Sequence, residues 1–225
     1  MTNNVSPAPI AHRPLILIAC MLAMFMSAIE ATIVATAMPT IIGDLGGFSL
    51  LGWVFAVYLL AQAITIPIYG RLADLYGRKR VFFFGATLFL LGSVLCGFAP
   101  DMYWLIGFRL LQGLGAGAIM PIASTIIGDI YSATERPKVM GYLSSVWGVS
   151  AIIGPLLGAF IVQHLPWALV FWVNLPIGLL AMFFLWRYLP AHQQLRRHAL
   201  DLAGTAWLTL FVSALLLALV QMESL

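Results

Sequence analysis

Long apolar runs separated by short polar punctuation make up most of the chain. Uncharged stretches extend from Leu45 to Gly70, Val81 to Pro100, Leu110 to Gly128, Val139 to Trp186 and Leu202 to Met222. The fourth is long enough for two crossings and divides near Gln163, His164, Leu165 and Pro166. A further run begins at Leu15 and is interrupted by a single carboxylate, Glu30. A hydrocarbon core about 30 Å thick requires about 20 apolar residues per helix, so the pattern predicts seven membrane-spanning helices. The runs are continuous rather than alternating, which argues for helices over a barrel. The fold class expected is therefore an all-α membrane protein. A cytoplasmic tail (1–13) leads into a six-helix bundle (14–189), followed by a cytoplasmic linker (190–201) and a seventh transmembrane helix (202–225). The first run is longer than a signal-peptide core and is not followed by a small-residue cleavage site, so it reads as a retained anchor.

Composition agrees: 62% of residues are hydrophobic and 8% charged, where soluble domains carry about 25% charged residues. The sign of the charge then sets the orientation. Arg13, Arg71, Arg78, Lys79, Arg80, Arg136, Lys138, Arg187, Arg196 and Arg197 all fall on one side of the seven-span arrangement, whereas the opposite loops and tail hold Asp44, Asp101, His164 and Glu223. The positive-inside rule places the N-terminus and basic loops in the cytoplasm of a multi-pass cell-membrane protein. The pI of about 9.1 accordingly reports topology and contact with anionic membrane lipid, with no nucleic-acid partner expected. Cys20 and Cys96 lie inside spans without ligand spacing, and His12, His164, His192 and His198 lie in tails or loops. No metal site is expected.

Two charges remain well inside the apolar runs, Glu30 and Arg109. A charge at mid-membrane costs on the order of 2.5 to 3.5 kcal/mol on insertion scales, so such a residue normally faces a cavity or a partner. Glu30 lies roughly 18 Å from the outer end of its helix at a rise of 1.5 Å per residue, near the midplane. Its readings are a carboxyl whose proton occupancy responds to conformation, or a structural carboxylate bonded to a neighbouring helix. Arg109 lies about 9 Å from the outer end of its span, with Gln112 and Gly113 on the same helix face. It reads either as a cavity-facing cation or as a packing anchor that snorkels outward.

"GRLADLYGRKR" (Gly70 to Arg80) fills the expected cytoplasmic turn between the second and third spans. Gly70 and Gly77 permit tight backbone geometry, and Asp74 is placed to accept from Arg78 or to cap the next helix. This stretch resembles the signature loop of the major facilitator superfamily. "FRLLQGLGAGA" is similar to the family's fourth-helix motif, which carries over Arg109, Gln112, Gly113 and Gly117. "GVSAIIGPLLGAF" resembles the fifth-helix motif of drug antiporters, carrying over Gly148, Gly154, Pro155 and Gly158, and "AIEATIVATAMPTI" resembles the first-helix motif of the fourteen-span drug:proton antiporter branch. That branch usually has aspartate where this chain has Glu30. "PWALVFWVNLPIGLL" resembles the sixth-helix segment through Trp167, Phe171, Asn174, Pro176 and Gly178, departing from it at Ala168 and Leu169.

Gly141, Ser144, Gly148, Ala151, Gly154 and Gly158 recur every three or four residues, which predicts a small-residue stripe along one face of the fifth helix. Gly113, Gly115 and Ala118 match a dinucleotide-binding pattern, but inside a span with no preceding strand they read as packing glycines. "TIIGDL" (40–45) and "TIIGDI" (125–130) close the first and fourth spans, which run in opposite directions, as an inverted three-plus-three repeat requires.

The resemblance implies the N-terminal half of a proton-coupled secondary transporter, a drug:proton antiporter exporting a small lipophilic substrate, with lipophilic cations suited to the composition. Protons are the coupling ion and no other cofactor is implied. Glu30 is the expected proton carrier. Arg109, Gln112, Gln62 and Asn174 are the expected polar cavity residues, and Gly70, Asp74, Gly77, Arg78 and Asp129 form the expected cytoplasmic gating loop and latch. The second half of the cavity is expected from a missing C-terminal half or from a second copy. The alternatives are a facilitator for another small metabolite and a truncated, non-transporting membrane partner. An enzyme is not expected, since Glu30 and Arg109 provide neither a nucleophile pair nor a metal set.

Overall fold

In the computed structural model, residues 12–190 are described, together with Gly204, Trp207 and Phe211. The chain folds into α1 (Arg13–Leu45), a single 3-10 turn (Phe48–Leu50) that runs into α2 (Leu51–Tyr76), α3 (Arg78–Cys96), α4 (Met102–Ile130), α5 (Arg136–His164), α6 (Leu169–Trp172) and α7 (Asn174–Tyr188). Helices α6 and α7 are separated by Val173 alone and together form the sixth span, so six helical segments among the described residues are long and apolar enough to cross a membrane. Gly204, Trp207 and Phe211 are helical. The remainder of the predicted seventh helix (202–225) and nearly all of the predicted linker (190–201) lie outside the described residues.

Most helices outrun the uncharged stretches that announce them. Helix α2 continues through Arg71 and Asp74, and α3 begins at Arg78, so the expected loop over Gly70–Arg80 shrinks to one residue. A polar helix end satisfies its own backbone and costs nothing once it leaves the hydrocarbon. Gly77 alone makes the turn, with φ of 89°, a conformation that a side chain would resist. Gly70 lies inside α2, and a Cβ placed there would meet nothing within 4 Å.

Without a hydrophobic force between helices in lipid, association depends on close backbone approach at small residues. Helix α4 uses two such faces. Cβ atoms added to Gly113 and Gly117 would collide with Tyr58, Ala61 and Thr65 of α2, whereas one added to Gly115 would run into the backbone of Gly85 and Phe89 on α3. Gly85 in turn abuts Ala118, and Gly92 lies against the backbone of Gln112. The "GLGAGA" run is therefore a wedge between two helices. Because the obstacles at Gly115 are backbone atoms, Gly115→Ala is expected to cost about 1–3 kcal/mol, read as a lower melting temperature of the detergent-solubilised protein.

Helix α5 meets α1 in the same manner, but over only part of its predicted stripe. A Cβ on Gly154 would strike Thr32, and one on Gly158 would press on Ile33 and Thr36. Gly141 and Gly148 have nothing within 4 Å, and Ser144 and Ala151 are exposed. The six small residues thus do not serve one contact: the outer two pack, and the others lie on an open face.

The core comprises two apolar clusters. One gathers Ile16, Met26, Phe82, Phe89 and Ile119. The other gathers Ile33, Ile41, Leu105, Ile161 and Phe171. Between them sit Glu30, Ser93, Arg109, Gln112 and Asn174, all at most 1% exposed.

Candidate functional site

The interior polar group is assembled from four spans. Arg109 of α4 donates from Nη1 to Glu30 Oε1 of α1 at 2.5 Å and to Gln112 Oε1 at 2.8 Å. Asn174, the first residue of α7, donates from Nδ2 to Glu30 Oε2 at 2.5 Å and to Ser93 Oγ of α3 at 3.0 Å. Gln112 donates to the same Ser93 oxygen at 3.2 Å, and Ser93 donates to the Phe171 carbonyl at 2.7 Å. Helix α2 supplies the fifth wall. The Val54 carbonyl accepts from Arg109 Nε at 3.4 Å, and the Tyr58 ring lies 4.1 Å from the guanidinium carbon. A guanidinium over an aromatic face within about 6 Å is attracted by the ring quadrupole.

This arrangement decides the open reading of Arg109's position. The side chain is 1% exposed and turned inward to Glu30, so it does not snorkel. An ion pair removed from water is tolerated where further hydrogen bonds satisfy the remaining lone pairs and protons, and here each carboxylate oxygen has its own donor. Gln62 stands apart: it is half-buried on α2 and its carbonyl accepts from Thr65, but its side chain makes none of the described contacts to the group. Ser93, which lacked any signal in an apolar run, is the member that sequence reasoning missed.

Two apolar hollows flank the level of Glu30 along the open side of α1. One, of about 280 Å³, is lined by Met21, Leu22 and Phe25 of α1 and Val149 of α5. The other, of about 460 Å³, lies between α1 and α2 at Ala35, Met38, Ile42 and Phe55. The chain thus presents apolar hollows along α1 on either side of the residue that carries its buried carboxylate.

The residues expected to form the cytoplasmic gating loop sort differently from expectation. Arg78 pairs with Asp129 near the end of α4 and donates to the Thr125 carbonyl at 3.0 Å. Asp74 is exposed on α2 and forms no ion pair among the described residues, and Gly77 before α3 carries no side-chain cap. The expected contact of Asp74 with Arg78 is therefore absent, because α2 stays helical and directs Asp74 away while Arg78 turns to α4. Asp44, the equivalent residue of the matching hexapeptide on α1, forms no ion pair among the described residues.

Cations at the starts of α3 and α5 cap the ends of other helices. Lys79 Nζ reaches the carbonyls of Trp186 and Leu189 at 2.7 Å each, and Arg136 reaches those of Gly128 and Tyr131. Cations are favoured at helix C-termini, where carbonyls lack partners. Ahead of α5, Glu135 folds back on Ser132, which is one half of a capping box. The Glu135 carboxylate accepts from the Ser132 backbone N–H at 2.9 Å and its hydroxyl at 2.8 Å. The spacing S-x-x-E was available in the sequence and lies just before this helix. The Ser132 backbone and side-chain donors hold the Glu135 carboxyl below its usual range. A depressed carboxyl stabilises at neutral pH and loses that contribution as pH falls through its lowered value. Ser132→Ala should therefore speed amide exchange over residues 135–139 at neutral pH, whereas the parent should loosen there only on acidification.

Six apolar helical segments of membrane-spanning length around a buried acid–arginine pair define a polytopic membrane protein. The family model for the Major Facilitator Superfamily matches residues 20–223, and the chain belongs to that family. It is 44% identical over 216 residues to Multidrug resistance protein 3 of Bacillus subtilis, covering 96% of this chain and 42% of that protein. It is also 44% identical to the multidrug transporter protein MdtP of the same organism, covering 93% of this chain and 39% of that protein. Efflux pump FUS6 of Gibberella moniliformis is 34% identical, over 91% of this chain and 38% of that protein. The chain thus spans about two-fifths of the length of these relatives. Among solved structures, the human organic anion transporter MFSD10 shares the fold with a TM-score of 0.72 at 18% identity, over 88% of this chain and 53% of that one.

Proposed function

We propose that this chain forms one half of a proton-coupled multidrug exporter, with Glu30 carrying the coupling proton, its N-terminus in the cytoplasm and its other half supplied by further chain or a second copy. The observation that carries the reading is the fully buried Glu30, paired with Arg109 at 2.5 Å on a helix that has apolar hollows on either side of it. A conformation that draws Arg109 or Asn174 away strips the carboxylate of its donors in a low dielectric, and a proton then replaces them. Loading and release of that proton are thereby tied to helix movement. The apolar hollows beside α1 suit a lipophilic substrate, and the relatives' names as multidrug transporters support the same reading. Both carboxylate oxygens are engaged by Arg109 and Asn174, which favours a transport role for the pair.

The test is dye efflux by the native full-length protein in vesicles carrying an imposed pH gradient. Export of a lipophilic cationic dye should require the gradient and should move protons the opposite way. Dye movement that is indifferent to the gradient, with no counterflow of protons, would assign the protein to facilitated diffusion instead.

A further inference from the structure

Ser93 is fully buried on α3 and hydrogen-bonds to neither Glu30 nor Arg109 among the described contacts, yet every hydrogen-bonding capacity of its hydroxyl is used. A serine hydroxyl has one proton to donate and two lone pairs to accept with. The Phe171 carbonyl, 2.7 Å away, can only accept, so the single proton of Ser93 is committed to it. Both lone pairs must then face donors, and the groups that meet them are the amide nitrogens of Gln112 at 3.2 Å and Asn174 at 3.0 Å.

That constraint sets the polarity of the whole group. With its NH2 turned to Ser93, Gln112 must present Oε1 to Arg109, as it does at 2.8 Å. With its NH2 turned to Ser93, Asn174 must present its other N–H to Glu30 Oε2, as it does at 2.5 Å. Glu30 is then met by donors on both oxygens, an arrangement that fits a carboxylate and leaves no acceptor for a carboxylic acid proton. Within the Asn174 amide that meets Glu30, the oxygen Oδ1 is buried and has no partner among the described residues. Turning the Asn174 amide over would bring Oδ1 to Glu30 but would set an acceptor against the lone pairs of Ser93.

Resting on the reading of Glu30 as the proton carrier, we infer that Ser93 is a positioning residue which, anchored on the Phe171 carbonyl, locks the Asn174 and Gln112 amides in the orientation that selects the ionised form of Glu30. The lock also joins the carboxyl to the junction of α6 and α7, since Phe171 and Asn174 flank that junction. Movement of the sixth span that breaks the bond from Ser93 to Phe171 frees the hydroxyl proton and lets the Asn174 amide turn. The titratable and charged groups near Glu30 are Arg109 of α4, Tyr58 of α2 through its contact with Arg109, and Cys96 of α3, whose thiol lies 3.7 Å from Gln112 Oε1. Helix α5 carries Arg136, Lys138 and Tyr142 in its first two turns and His164 at its end, and α7 offers Asn174 at this level.

The experiment is infrared titration of the native full-length protein in lipid nanodiscs, with the protonated-carboxyl band of Glu30 assigned by its loss in Glu30→Gln. In Ser93→Ala the band should persist to a higher pH than in the parent by about one pH unit, the size expected from losing one oriented donor. Ser93→Thr, which keeps the hydroxyl, should titrate as the parent does. Should Ser93→Ala not accumulate, Ser93→Cys keeps the volume with a much weaker donor and should shift the band in the same direction. A Glu30 band that titrates identically in the parent and in Ser93→Ala or Ser93→Cys overturns the inference alone. A parent spectrum in which no titrating band is lost in Glu30→Gln overturns the proton-carrier reading, and this inference with it.

Discussion

Glu30→Gln is expected to abolish pH-gradient-driven dye export by the full-length protein while leaving its abundance in the membrane within about twofold of the parent. The shape of the site separates the two effects. The new amide keeps an oxygen for Arg109, and the only mismatch it creates is its NH2 against the Asn174 amide that Ser93 holds in place. Arg109 also keeps the Gln112 oxygen, the Val54 carbonyl and the face of Tyr58. Hydrogen bonds to charged groups contribute about 1.5–3 kcal/mol, and most of those on Arg109 survive. What cannot survive is proton exchange, because an amide does not titrate in this range. Efflux should therefore lose its dependence on the gradient altogether, whereas Glu30→Asp, which preserves the carboxyl with a shorter arm, should retain part of it. Gradient-dependent export surviving in Glu30→Gln at parental rate would remove Glu30 from the coupling step.

What was legible in the sequence divides along physical lines. The spans were legible because a bilayer imposes a length and a polarity on any helix that crosses it. Their ends were not, since charged residues such as Arg71 and Asp74 continue a helix once it enters the headgroup region. Glu30 and Arg109 stood out as ionisable groups in apolar runs, and Gln112 and Asn174 followed from the resemblance. Ser93 could not stand out, for a lone serine in a membrane helix ordinarily bonds back to its own backbone, as Thr65 does to the carbonyl of Ala61. Its role depends on α3 lying against Phe171 and Asn174, a contact across about eighty positions of sequence. The glycines show the same limit. Their periodicity announced close packing, but only the helix pairing separates Gly113 and Gly117 from Gly115, or the packed Gly154 from the open Gly148.

The pairing of Arg109 with Glu30 carries the second large effect, on stability rather than transport. Arg109→Ala should destabilise the solubilised protein by about 3–5 kcal/mol, the range for breaking a buried ion pair by removing one partner. The loss exceeds that of Glu30→Gln because it removes the donor to Glu30 Oε1, Gln112 Oε1 and the Val54 carbonyl, and it opens a void against the Tyr58 ring. Attraction alone does not account for this figure. Much of it is the cost of a carboxylate left in the core with only Asn174 to donate to it. A double replacement tests that division. If the orphaned charge is the main term, Glu30→Gln combined with Arg109→Gln should be more stable than the sum of the two single losses by at least about 1 kcal/mol, within the coupling range for residues in direct contact. Strict additivity in the unfolding cycle would instead mean that the two side chains pack independently. The pair would then lose its standing as the element that holds α1 against α4 at mid-membrane.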